Sequence, residues 1–369
     1  MASAPALGRR GIALTLVLWV LVIGAALLTI VVFLVYQEQR AGGAGRRLQR
    51  TFARAEAGLT EAMLPWTPGL LNRQLPRALD SVITHGADWR ATIRKLNQGL
   101  YLVEVAAADS PQTGLASTAT RQRIGRVIRV RPVSLPITAA LDAGGRVTVG
   151  TGVTIDGRDH APPSEPDCPP PDSATAGVAA AAVDSLGSPV IDGSPPLALR
   201  QPADSGLSAD NLGVFRELAA QATLSLPGGS WRPYPSSVGT VCTVSAIENW
   251  GDAANARGPC AGYKPIIHVA GDLELLPGQG QGILLVDGDL LLHGPSLFSG
   301  VVMVRGRMNV APGEPEVAIY GTVFAGSLRT QPPPNAVITI TYSKCMITNA
   351  LLSSGRLIPL RSRSWKQLF

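Results

Sequence analysis

Histidine occurs only four times, at His85, His160, His268 and His293. Asp156, Asp159 and His160 come nearest to a metal-ligand cluster, yet no second His or Cys pair stands at the spacing of a tetrahedral zinc site. That segment reads as an Asp-rich turn. Asp272, Asp287 and Asp289 form a second set of acids, chemically able to act as bases or to bind Ca²⁺ on a polysaccharide. Each sits beside a turn glycine, where a carboxylate caps backbone N–H groups instead. There is no P-loop, dinucleotide fingerprint or nucleophile elbow, and Gly278-Gln279-Gly280-Gln281-Gly282 falls between strands rather than opening a helix. The expectation is a protein with no catalytic, cofactor-binding or metal-binding residues and no small-molecule substrate.

The four cysteines, Cys168, Cys242, Cys260 and Cys345, all follow an apolar N-terminal segment, and an even number there suits an oxidising compartment. No C-x-x-C occurs, which argues against a zinc or redox role. Three pairings are open, with four free buried thiols as the alternative. Cys242–Cys260 is preferred because it closes a short loop, leaving Cys168–Cys345 by remainder.

The elements that must carry these residues begin with a membrane segment. From Ile12 to Val35 runs an uncharged stretch of 24 residues, flanked by Arg9 and Arg10 on one side and by Gln37, Glu38 and Arg40 on the other. As a helix it spans about 36 Å, enough for a hydrocarbon core of ~30 Å with some tilt. A cleaved secretory signal, cut near Gly42 or Ala44, is the competing reading, but signal h-regions are shorter. The net charge of +6 concentrates here: residues 1–59 hold seven Arg and two Glu, and the remainder of the chain is nearly balanced. The positive charge therefore belongs to an anchor, and no nucleic-acid partner is expected. Arg40, Arg46, Arg47 and Arg50 weakly favour the C-terminal part inside the cell. Cysteine usage favours the opposite, with the N-terminus cytoplasmic.

Beyond a glycine-rich hinge at Gly42, Gly43 and Gly45, the helical pattern resumes with Leu48, Phe52, Ala55, Leu59 and Met63 on one face. Pro65 ends this stem. Two partners are open for the face: the chain's own globular part, or other copies of such helices.

Arg10-Gly11-Ile12-Ala13-Leu14 opening an apolar helix, followed by Gln37-Glu38-Gln39-Arg40 and Ala55-Glu56-Ala57-Gly58-Leu59, resembles the N-terminal segment of PilX-type minor pilins, over about residues 9–63. Leu18-Trp19 in this setting is similar to the large minor pseudopilin of type II secretion. The resemblance implies an inner-membrane anchor, a body outside the cytoplasm, and a part in priming or modulating type IV pilus assembly, with other pilin-like subunits as partners. It makes Gly8 and Gly11 the possible processing glycines. Five residues beyond them stand Ala13 and Leu16 rather than the Glu of typical prepilins, which counts against a major subunit.

Charged residues at 16%, with 40 Gly and 30 Pro, argue against a helical bundle, and 5% aromatics leaves cores of Val, Leu, Ile and Ala. Residues 65–160 read as a small α+β region, with one or two short helices in 66–98 and strands at Leu100–Val105 and Arg123–Val130. Arginines 121, 123, 126, 129 and 131 read as the solvated face of an alternating strand. Residues 161–205, with ten Pro, read as an irregular loop or linker. A helix starts at Ser208 as N-cap and ends before Pro227.

In residues 206–369 the main pattern is Val269-Ala270-Gly271-Asp272-Leu273, Val286-Asp287-Gly288-Asp289-Leu290, Val304-Arg305-Gly306-Arg307-Met308 and Ile319-Tyr320-Gly321-Thr322-Val323, with an earlier candidate at Ile155-Asp156-Gly157. Self-similarity at this period predicts the coils of a β-solenoid, with evenly spaced hairpins of a β-sandwich as the alternative. The PilX-like stem together with Trp250-Gly251-Asp252 and Gly282-Ile283-Leu284-Leu285-Val286-Asp287-Gly288 also resembles the large PilX-domain proteins, which implies a solenoid-like extracytoplasmic part. The fold class expected is α+β: an N-terminal transmembrane and stem helix (1–64), then a mostly β body, solenoid-like in its C-terminal third. The function expected is non-enzymatic, in pilus or pseudopilus assembly or adhesion. The rivals are an anchored solenoid acting on polysaccharide and a bactofilin-like self-assembling scaffold.

Overall fold

The computed structural model describes residues 10–109, 120–162, 165, 168–201, 207–311, 316–330, 337–360 and 365–368. It consists of a long apolar helix followed by a mostly β body. Helix α1 (Arg10–Met63) is continuous for 54 residues. Gly42, Gly43 and Gly45 form no hinge: each costs about 1 kcal/mol in helix propensity but leaves the N–H to C=O ladder intact, and no proline lies within Arg10–Met63. Helix α2 (Pro68–Gln74) follows, with the Thr67 hydroxyl accepting from Leu70 N at 3.1 Å and Pro68 in the first turn.

Only this part of 66–98 is helical. Leu79 takes a left-handed φ of 71°, which breaks the four-residue spacing of Leu75, Leu79 and Ile83. Beyond it, strands β1 (Ser81–His85) and β2 (Trp89–Asn97) form, the latter burying Ala91, Ile93 and Lys95 in strict alternation. With β3 (Leu100–Asp109) and β4 (Thr120–Arg131) they make an antiparallel sheet in the order β1-β2-β3-β4. The last turns of α1 press Ala55, Leu59 and Ala62 onto Ile93, Val103, Val105 and Ile128 of this sheet.

The second sheet has fourteen strands, and every ladder in it is parallel. Its first strands are β5 (Ala139–Ala143), β6 (Arg146–Gly150), β7 (Val153–Asp156), β8 (Ala176–Ala180), β9 (Ala182–Leu186), β10 (Val190–Asp192) and β11 (Leu197–Leu199). Four of these strands fall within 161–205, so that stretch is no linker. Its described prolines lie between strands, while small Ala176 and Ala179 pack closely against Ala139. Helix α3 (Ala209–Ala219) starts at Ser208, whose hydroxyl accepts from Asn211 N, and puts Phe215 and Leu218 into the main core.

The chain continues through β12 (Leu224–Trp231), a two-rung hairpin of β13 (Ser237–Val238) and β14 (Val241–Cys242), then β15 (Ile266–Leu275), β16 (Gly278–Val286), β17 (Leu290–Leu292), β18 (Ser296–Val310), β19 (Glu316–Arg329) and β20 (Val337–Tyr342). Helix α4 (Lys344–Leu351) leads to β21 (Arg356–Pro359) and β22 (Trp365–Leu368). Both pair with β4, so the end of the 206–369 segment returns to the N-terminal sheet.

Successive strands stack in register: Val269 pairs with Val286 and Val286 with Val304, one neighbour for each period read from the sequence. The Asp-Gly steps are therefore not hairpin turns. The fourth repeat departs from this column. Val304 pairs with Ala325, while Gly321 pairs with Gly300, which pairs with Gly282. There are two glycine columns, Gly271–Gly288–Gly306 and Gly282–Gly300–Gly321, and the 15-residue step from Gly306 to Gly321 crosses between them. Val153–Asp156 joins on the far side of β20, with Ile155 opposite Ile340. The core so formed is Val, Leu, Ile and Ala, with Phe298 and Phe324 among its few rings.

The Gly282–Gly300–Gly321 column has φ of 107°, 135° and 146°, and a Cβ on Gly300 would lie 2.0 Å from the Gly282 carbonyl oxygen. Gly300→Ala is expected to destabilise the body by ~2–4 kcal/mol in denaturant unfolding, combining a disfavoured backbone with a main-chain clash. Gly213→Ala, in α3 with nothing within 4 Å of the added methyl, is expected to stabilise by ~0.5–1 kcal/mol.

Candidate functional site: anchor, stem and their fastening

Between Leu14 and Tyr36 the large apolar side chains of α1 are all exposed, Trp19 by 67% and Leu28 by 67%. The helix is long and apolar enough to cross a membrane, its most apolar window having a mean hydropathy of 3.0. Gly11 lies in its first turn, and Gly8 falls outside the described residues. Polar turns follow, with Arg46, Arg47 and Arg50 exposed.

The predicted stem face then divides. Leu48 remains 44% exposed, whereas Phe52, Ala55, Leu59 and Met63 pack on the chain's own antiparallel sheet. Of the two partners open for that face, the globular part takes these four residues. Trp89 at the start of β2 locks the contact, a role the sequence reading missed. Its Nε1 donates to Glu61 Oε2 at 2.8 Å, and its ring lies on Gly58, where a Cβ would come within 2.6 Å of Cγ. A lone helical glycine three residues before Glu61 was the only signal in the sequence.

All four cysteines are paired, as Cys168–Cys345 and Cys242–Cys260. The first ties the segment before β8 to α4. That helix start is fastened twice more from the same segment: Asp159 Oδ1 accepts from Lys344 N at 2.9 Å, and Lys344 Nζ donates to Asp172 at 3.0 and 3.1 Å. Ser343, the N-cap, makes no side-chain cap bond of its own, so Asp159 supplies that acceptor across the fold. The second bridge is buried with Tyr263. There Asn249 Nδ2 donates to Ser236 O and Thr243 O, and Gln281 Nε2 reaches the carbonyls of Cys260, Ala261 and Tyr263.

The acids singled out above hold turns and neighbours. Asp272 Oδ1 accepts from Asp289 N at 2.8 Å, and Asp289 Oδ1 from Arg307 N at 2.7 Å, so each carboxylate caps the same position one strand along. Arg307 also binds Asp289 through Nε and Nη2. Asp287 lies between His268 at 2.9 Å and Arg305 at 3.1 Å, and His293 meets Glu274 at 2.9 Å. His85 lies at the end of β1. Asp156 takes the Arg158 guanidinium in a fork of 3.1 and 3.0 Å and His160 Nε2 at 2.9 Å, while Asp159 faces α4. Arginine thus occupies the position a cation would take. Among the described residues no group of three or more His, Cys, Asp or Glu converges as a metal site would require.

Comparison with known proteins finds no matching family model, no matching curated protein and no matching solved structure.

Burial of Asp156 alone would raise its pKa, but hydrogen bonds from Arg158 and His160 outweigh this and hold it below the usual carboxylate range. A depressed pKa contributes stability above the unfolded-state value, and that stability is lost as pH falls through the folded one. Asp156→Asn is therefore expected to melt ~2–4 °C below the wild type at neutral pH, with the gap closing below ~pH 4. Thermal unfolding across pH 2–8 checks this.

Proposed function

We propose that this chain is a non-enzymatic, single-pass membrane protein, with its N-terminus in the cytoplasm and its β body outside it, acting in assembly or adhesion as a pilin-like subunit of a type IV pilus or related secretion pseudopilus. The observation that carries the reading is the division of α1: its last turns are built into the body, and the preceding apolar turns are bare. Such a helix needs lipid, or other helices, along its whole length. The same geometry serves a subunit that waits in the bilayer and then packs its bare spine among similar spines. The two disulfides support a body in an oxidising compartment.

The body itself is proposed to be a β-solenoid, which the parallel in-register ladders and the two glycine columns support. The two rival functions find less support. Asp272, Asp287 and Asp289 are engaged with backbone N–H groups, arginines and a histidine, which disfavours a polysaccharide-cleaving groove. For end-to-end polymerisation the stack needs open strand edges. One edge strand, β12, carries Pro227 and a register shift, and at the other end β10 and β11 have three residues each. Leu186, Val190, Leu197 and Leu199 are exposed at that second end, but short strands and prolines are devices that stop ladder growth.

A photo-reactive side chain at Leu48, in native membranes, tests the proposal. Adducts to a pilin-like subunit identified by mass spectrometry are expected. Adducts to lipid alone, in cells assembling pili or pseudopili, contradict it.

A further inference from the structure

A cavity of about 260 Å³ lies where the antiparallel sheet meets the parallel body, bounded by the end of α2, β2, the loop 256–264 and α4. The chain has only four lysines, and two of them, Lys95 and Lys264, line it. Both are buried, at 6% and 7% exposure. Lysine is seldom buried without a carboxylate partner. Lys95 Nζ donates to the carbonyls of Leu75 at 2.9 Å and Pro76 at 3.1 Å, at the end of α2. Lys264 Nζ donates to Ala261 O at 2.8 Å and reaches Glu165 Oε1 at 3.4 Å. Arg77, whose Nη2 donates to Gly258 O at 2.9 Å, and Arg257 add two guanidinium groups to the lining.

The charges do not balance. Four cationic residues line the cavity, and Glu165 is the one carboxylate among its described lining residues. Asp80 lies close enough to Lys95 to favour its charged form, and its Oδ2 accepts from Arg77 N at 2.8 Å. Arg257 is exposed to solvent. With Asp80 counted, Lys95, Lys264 and Arg77 face two carboxylates among the described residues, which leaves one positive charge uncompensated in a partly desolvated space, where like charges repel more strongly than in water. Burial first, and then Lys264, push Lys95 down to about 8. Burial lowers Lys264 as well. The space is too large for a single water, whose share of liquid volume is ~30 Å³, and its walls carry ammonium and guanidinium donors.

We propose that this cavity binds a small free oxyanion with two negative charges, of the phosphate or sulfate class, between Lys95, Lys264 and Arg77. The anion offsets the positive charge that Glu165 and Asp80 leave uncompensated and joins the stem-bearing sheet to the parallel body. This site is independent of the assembly function proposed above.

The test is thermal unfolding and calorimetric titration of the full chain in detergent micelles, with sodium phosphate, sodium sulfate and sodium succinate against sodium chloride at matched ionic strength. Phosphate and sulfate are expected to raise Tm by several degrees beyond chloride, by preferential binding to the folded state. Lys264→Met and Lys95→Met are each expected to reduce affinity at least tenfold. In the wild type, affinity is expected to fall as pH rises above about 8, as Lys95 loses its proton; this arm needs no variant and serves if either substitution impairs folding. A larger response to succinate assigns the site to carboxylates and overturns the phosphate-class assignment. A response equal to that of chloride, or one unchanged in Lys264→Met or insensitive to pH, overturns the proposal.

Discussion

Apolar surface that cannot be left in water governs this molecule. Between Leu14 and Tyr36 helix α1 exposes nearly every side chain, many of them Leu, Val and Ile, and each such residue gains ~1.5–3 kcal/mol on leaving water. The sum exceeds the stability of an ordinary domain several times over. An apolar phase, or a set of equivalent helices, is the environment to which the remaining structure is fitted.

The body is joined to that helix through a small contact made rigid by shape. Ala55, Leu59 and Ala62 lie flat on the sheet, and Gly58 admits the ring of Trp89, which also holds Glu61. The sheet is then closed by the far end of the chain, since β21 and β22 pair with β4. Chain ends far apart in sequence thus meet at the base of the stem. The parallel body fills the interval, with corners that need glycine and turns capped from strand to strand by Asp272 and Asp289.

Much of this was legible in the sequence because it depends on local pattern. The uncharged run Ile12–Val35, the N-cap at Ser208 and the Val269–Val286–Val304 period each rest on spacing alone. The misreadings share a different cause. Residues 161–205 look irregular because their strands are short, alanine-rich and divided by proline, and they gain order from neighbours such as Ala139 and Ile155. Gly321 matches Gly306 by motif, yet pairing places it on Gly300, since register is set by the neighbouring strand. Asp159 as a cap for α4 and Trp89 as the lock on the stem depend on contacts 185 and 28 residues apart in the chain.

The central claim is a body outside the cytoplasm held by one membrane helix. Protease digestion of intact spheroplasts, followed by non-reducing mass spectrometry of what remains in the membrane and what is released, tests it most directly. The account predicts that the β body is digested from outside, that a fragment containing Ile12–Val35 stays in the bilayer, and that the released peptides carry Cys168–Cys345 and Cys242–Cys260. A body protected until the membrane is permeabilised, with four free thiols, would contradict it.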